Sequence, residues 1–154
     1  MIFFIPVVAV IGNPNTGKST LFNALTGLKQ KTANYPGVTV ERHTGSIDLG
    51  GREVDLVDLP GTYSLAAQSP DEMIAVDVLL GRVEDLRAPA AVLVVVDAAN
   101  LRRNLFLVTQ LAELGLPLVV ALNMLDMATA LKIEIDVGKL AAGLGAIVVP
   151  VVAT

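Results

Sequence analysis

The stretch Ile5-Pro6-Val7-Val8-Ala9-Val10-Ile11, running straight into Gly12-Asn13-Pro14-Asn15-Thr16-Gly17-Lys18-Ser19-Thr20, decides the fold. The apolar, β-branched run predicts a strand buried on both faces. The next eight residues fit G-x-x-x-x-G-K-[ST] at every fixed position. A helix is predicted to open at Lys18 and to run to Leu28. Strand, glycine loop and helix in that order make a phosphate cradle. The glycines let backbone N–H groups turn inward, and the helix start adds unpaired donors and the positive end of its dipole. Lys18 is expected to reach the β- and γ-phosphates, and the Ser19 hydroxyl to bind Mg²⁺. Gly12, Asn13, Pro14, Asn15, Thr16, Gly17 and Thr20 complete the expected nucleotide-binding loop.

The rest of the chain alternates in the same way. Val38–Leu49 and Glu53–Leu59 read as a hairpin around Gly50-Gly51. Pro70–Leu80 suits a helix behind a Ser69 cap. Ala91–Val96 and Pro117–Leu122 are apolar strands, Leu101–Leu114 keeps helical spacing, Val137–Leu144 is a short helix and Ala146–Val152 a last strand. Gly27–Pro36 is polar and reads as a loop. The expected architecture is α/β: a six-stranded, mostly parallel sheet with one antiparallel strand and helices on both faces.

Composition excludes several classes. The 154 residues are 53% hydrophobic and 17% charged, which rules out disorder and fits one domain, 1–154. The apolar runs are shorter than the roughly 18 residues of a spanning helix. Cysteine is absent and His43 is the single histidine, so thiolate and histidine metal sites are excluded. A net charge of −4 argues against a nucleic-acid partner.

Three further segments refine the site. Asn123-Met124-Leu125-Asp126 follows an apolar strand. The Asp126 carboxylate can accept both the N1–H and the 2-amino group of guanine, while Asn123 can tie this loop to the phosphate loop. Helix capping is the competing reading of that pair. Asp58-Leu59-Pro60-Gly61 closes a strand; Asp58 can hold Mg²⁺ through water, and the Gly61 N–H can bond a γ-phosphate. An ordinary turn is the competing reading there. In Tyr35-Pro36-Gly37-Val38-Thr39-Val40-Glu41-Arg42, Thr39 is the second Mg²⁺ hydroxyl, with Gly37 and Val38 beside the nucleotide. Asp97 and Asn100 are explained as caps, and His43 as a surface residue.

Together, Gly12–Asn23, Tyr35–Arg42, Val57–Leu65, Val95–Leu105 and Val120–Met127 resemble the G domain of the bacterial ferrous iron transport protein B family, across essentially the whole chain. The resemblance implies a Ras-like P-loop GTPase fold, GTP hydrolysis that controls ferrous iron uptake, and a place on the cytoplasmic face of the bacterial inner membrane. It also implies a helical regulatory domain and a transmembrane permease as partners in a longer protein. Met124 stands where N-K-x-D proteins have lysine, and Thr62 where Ras-like proteins have a water-positioning glutamine. The loop behind the base is expected at Ala153-Thr154. Related GTPases with asparagine at the Asn15 position are potassium-activated, so Asn15 is the expected K⁺ ligand; Asn15, Lys18, Thr39 and Gly61 form the expected catalytic set. Two alternatives stay open: a ribosome- or RNA-associated GTPase of the same class, and a GTP/GDP sensor with little hydrolysis.

Overall fold

The computed structural model describes residues 4–153. Seven strands form one sheet in the order β2-β3-β4-β1-β5-β6-β7. They are β1 (Val7–Gly12), β2 (Gln30–Asn34), β3 (Glu41–Leu49), β4 (Arg52–Asp58), β5 (Ala91–Asp97), β6 (Leu118–Asn123) and β7 (Ile147–Pro150). The helices are α1 (Lys18–Thr26), α2 (Pro70–Leu79), α3 (Leu101–Glu113), α4 (Leu125–Ala130) and α5 (Val137–Leu144). β1 pairs in parallel with β4 and β5, and β5, β6 and β7 continue in parallel. β3 alone runs against its neighbours.

Central strands are near-continuous apolar runs because helices cover both faces. Ala9 and Ile11 of β1 face one core with Leu59, Val78, Leu107 and Leu122. Val10 faces the other, where Phe22 of α1 packs on Leu56, Val95 and Ala121. Alternation along one strand therefore feeds two cores.

The expected six strands are seven. Residues 30–34, read as loop, form β2, registered Gln30↔Gly45 to Asn34↔Glu41 against β3. All five side chains are exposed, so the strand has no hydrophobic period and is held by its backbone ladder. The chain then turns at Tyr35-Pro36-Gly37-Val38, with the Val38 amide donating to the Tyr35 carbonyl at 3.3 Å. Proline second and glycine third at φ +76° is the type II pattern. α1 stops at Thr26 rather than Leu28 because Gly27 takes φ +58°. α4, absent from the sequence reading, is a helix of six residues too short to show a period.

Candidate nucleotide site

The loops after β1, β4, β5, β6 and β7 gather at one edge of the sheet, around the point where strand order reverses at β1. Such crevices are where open α/β sheets bind ligands.

The loop Asn13–Gly17 turns through two left-handed residues, Asn15 at φ +65° and Gly17 at φ +87°. Thr16 is buried and its hydroxyl donates to the Asn13 carbonyl at 3.1 Å, bracing the turn from inside. Gly17 caps α1 without any side-chain hydrogen bond, leaving the first-turn N–H groups to a ligand. A cavity of about 420 Å³ lies against them, lined by Asn13, Pro14, Asn15, Gly17, Lys18, Ser19, Thr20 and Gly61. The backbone has no room to spare. A Cβ on Gly12 would stand 2.7 Å from the Val95 carbonyl oxygen. The Asn13 side-chain amide is buried with no hydrogen-bond partner among the described residues.

Lys18 also borders a second cavity, of about 380 Å³, whose lining includes Thr39, Asp58, Leu59 and Pro60. The Lys18 ammonium pairs with the Asp58 carboxylate. Thr39, Asp58 and Lys18 thus line one cavity. Gly61 approaches the phosphate loop, where a Cβ would come 3.3 Å from Pro14. The Thr62 amide donates to the Gly12 carbonyl at 3.0 Å. The Thr62 hydroxyl turns away, donating to the Ser64 carbonyl at 2.7 Å and lying 3.2 Å from Glu72 Oε2. Gly37 and Val38 sit in the exposed turn, outside both cavity linings.

Asn123 ends β6 and is 3% exposed. Its Nδ2 donates to the Thr16 carbonyl at 2.9 Å, and its Oδ1 accepts from the Ala153 amide at 3.2 Å. One side chain therefore joins the phosphate loop to the segment after β7. Met124 follows at φ +62° and starts α4, whose first turn carries the exposed Asp126. Ala153 lies beside Gly17; Thr154 lies outside the described residues. Asp97 accepts from the Ala99 amide at 2.8 Å and so caps the 3-10 turn Ala98–Asn100, whereas Asn100, expected as a cap, stands at the start of α3 without a side-chain cap bond and donates to Asp97 instead.

Comparison with known proteins decides the lineage. A family model described as ferrous iron transport protein B, FeoB_N, matches residues 6–154. The chain belongs to the FeoB_N family. The Fe(2+) transporter FeoB of Salmonella typhimurium is 51% identical over 151 residues, and that of Escherichia coli K12 is 50% identical. Each alignment covers 96% of this chain and 19% of the relative, so the chain spans about a fifth of the curated relatives it matches. Among solved structures, the cytosolic domain of L. pneumophila FeoB superposes with a TM-score of 0.88 at 49% identity, covering 96% of this chain and 57% of that one. The G domain of the T. maritima FeoB iron transporter gives 0.85 at 40% identity, covering 97% and 89%. A mutant S. thermophilus NFeoB bound to GDP gives 0.87 at 45% identity, covering 97% and 56%. The fold of this FeoB_N domain is the Ras-like P-loop GTPase fold.

Beyond the Asn123 tie and the Ser69 cap, sequence reasoning missed the polar links around the site. Arg42 makes two hydrogen bonds to Asp85, at 2.7 and 2.9 Å. These bonds hold the Asp85 carboxyl below, and the Arg42 guanidinium above, their ordinary values. Burial pushes the Tyr35 hydroxyl up to about 12. The Leu65 amide donates to Gln110 Oε1 at 2.7 Å, and Arg103 stacks on Tyr63 at 4.3 Å. Only the Ser69–Glu72 cap had a sequence signal, S-x-x-E.

Proposed function

We propose that this FeoB_N domain binds GTP and GDP, hydrolyses GTP slowly, and serves as the nucleotide-dependent switch of a longer inner-membrane protein that takes up ferrous iron. Residues 1–154 form its cytoplasmic G domain, and a helical regulatory domain and permease are its partners. The observation that carries the reading is the Asn123 bridge, which ties a guanine-reading loop to a phosphate loop in one rigid piece. The GDP bound in the S. thermophilus NFeoB structure supports the ligand class.

Each residue then takes a role. Backbone N–H groups of Asn13 and of Asn15 to Ser19 would surround the β-phosphate, and Lys18 would leave Asp58 for the β- and γ-oxygens. Ser19 at the phosphate-loop cavity, and Thr39 and Asp58 at the neighbouring cavity that shares Lys18 with it, are hard oxygen donors that would fit Mg²⁺, Asp58 through water. Among the described residues no cluster of three His, Cys, Asp or Glu could hold a metal by itself. Phosphate oxygens of the bound nucleotide would complete such a site, and the ion would supply charge neutralisation there. Gly61 offers its N–H to the γ-phosphate, and Gly37 and Val38 swing with Thr39. Asp126 and Asn123 read guanine, with Met124 and Ala153 behind the base.

Thr62 places no side chain in the cradle, so the group that neutralises transition-state charge comes from elsewhere. Asn15 lines the cradle in a left-handed conformation with its side chain exposed. We assign it K⁺, whose charge supplies what an arginine finger contributes in other GTPases, roughly 10³–10⁵ in rate. Carbonyls of Gly27–Val38 would be further protein ligands to the ion; they line neither cavity beside Lys18, so reaching it requires the β2–β3 turn to move.

The test is GTP turnover in K⁺ and in Na⁺ at matched ionic strength. K⁺ should accelerate it well above Na⁺, and Asn15→Ala should remove the difference while GDP affinity stays nearly intact. Equal rates in the two salts would reject the K⁺ site and favour a GTP/GDP sensor with little hydrolysis.

A further inference from the structure

One polar cluster lies outside the phosphate, metal and base sites yet is rooted in the segment Thr39–His43, which borders the Lys18–Asp58 cavity. Arg42, on β3, grips Asp85 with Nη1 on Oδ1 and Nη2 on Oδ2. Asp85 belongs to the connection between α2 and β5, so the pair spans 43 residues of sequence. The same guanidinium lies over the Tyr35 ring, 5.5 Å from its centroid. Tyr35 is 3% exposed and packs in the core that holds Leu59, Ile74 and Val78. Its amide donates to the Val40 carbonyl at 3.0 Å, which closes the base of the Pro36–Thr39 turn.

Both ends of that turn are thus fixed at one place. Tyr35 anchors the incoming end in the core. Arg42, two residues beyond Val40, anchors the outgoing end to the segment behind α2. Thr39 lies between them and lines the cavity with Lys18 and Asp58. Asp85 takes two of the Arg42 N–H donors and the Tyr35 ring lies under its guanidinium, which stays turned to the α2–β5 connection; Arg42 lines neither cavity beside Lys18.

We propose that Arg42 and Asp85, seated on the Tyr35 ring, are positioning residues for Thr39, holding the root of the turn so that the Thr39 hydroxyl and amide meet a γ-phosphate and its Mg²⁺. This rests on the GTP reading of the site. Thr39 acts only when a γ-phosphate is present, so the clamp strengthens triphosphate binding and leaves diphosphate binding alone. The Arg42 side chain is 15% exposed and that of Asp85 49%. A bidentate pair in that setting is worth about a fivefold change in affinity.

The experiment measures affinity for GDP and for a non-hydrolysable GTP analogue, with Mg²⁺ and at fixed ionic strength. It compares the native chain with Arg42→Ala, Asp85→Ala, the double variant and Arg42→Lys. Each alanine variant should bind the analogue about fivefold more weakly and bind GDP as before. The double variant should be no worse than either single one, because the two residues act as one unit. Arg42→Lys should recover part of the loss, since an ammonium cannot make the two-pronged contact. Unchanged analogue affinity, an equal loss for GDP, or additive losses in the double variant would overturn the inference. A native chain that does not prefer guanine nucleotides over ATP would overturn the nucleotide reading itself, and the inference with it.

Discussion

Replacing Tyr35 by phenylalanine should stabilise this domain. The ring is 3% exposed and fills the core beneath the β2–β3 turn, while its hydroxyl is buried with no hydrogen-bond partner among the described residues. An unsatisfied buried hydroxyl costs about 1–3 kcal/mol. Phenylalanine keeps the ring, its packing and the face under Arg42, and deletes only the orphan. Taking the lower end of that cost, Tyr35→Phe gains about 1 kcal/mol, or about 2–4 °C in Tm for a domain of this size. Urea titration at pH 7 should show a higher midpoint at unchanged slope. An alkaline arm gives an independent check. Burial raises the hydroxyl from 10.0 to about 12, so the neutral form is favoured in the folded state. The native chain keeps this contribution below pH 10 and loses it as pH rises towards 12, because the unfolded chain ionises first. The advantage of Tyr35→Phe should therefore widen over that interval. A loss of 1 kcal/mol or more at pH 7 would refute the reasoning, because it would mean that the hydroxyl is bonded.

Gly17→Ala should damage the site from within. A Cβ there would stand 2.4 Å from Asn123 Nδ2 at a backbone φ of +87°, so strain of about 1–2 kcal/mol adds to loss of the Asn123 bridge. GTP and GDP should both bind at least tenfold more weakly in a displacement titration. Asp126→Asn should move preference from guanine towards xanthine nucleotides, because the amide presents a donor where the carboxylate only accepts; competition assays with GDP and XDP read the exchange.

What the sequence showed and what it hid follow from how each feature is held. Strands β1, β5 and β6 were legible because burial on both faces writes them as unbroken runs such as Val92–Val96. The phosphate loop was legible because its glycines answer to local demands: Gly17 to a positive φ, Gly12 to a neighbouring carbonyl. Thr39, Asp58 and Lys18 line one cavity, and each could be singled out because it follows or flanks a recognisable strand or loop. β2 was hidden because Gln30–Asn34 buries nothing and pairs through its backbone alone. The Arg42–Asp85 pair was hidden for another reason. Neither residue breaks a local pattern, and only the tertiary path of the chain brings the α2–β5 connection beneath β3.

The sheet order also sets a timetable for folding. β1 is the central strand and precedes the other six in the chain, yet it is registered against Asp55–Asp58 on one side and Ala91–Val95 on the other. Both neighbours must be made before it is paired on its two edges. Meanwhile β2, β3 and β4 form a meander joined by short turns, with low loop-closure entropy. The edge of the sheet can thus assemble early while its middle waits. During that interval Val7–Ile11 is an exposed apolar strand with two free edges, the kind of segment that aggregates or is held by chaperones. Refolding from denaturant should accordingly be limited by closure of the parallel β1 pairings, and its yield should fall as protein concentration rises.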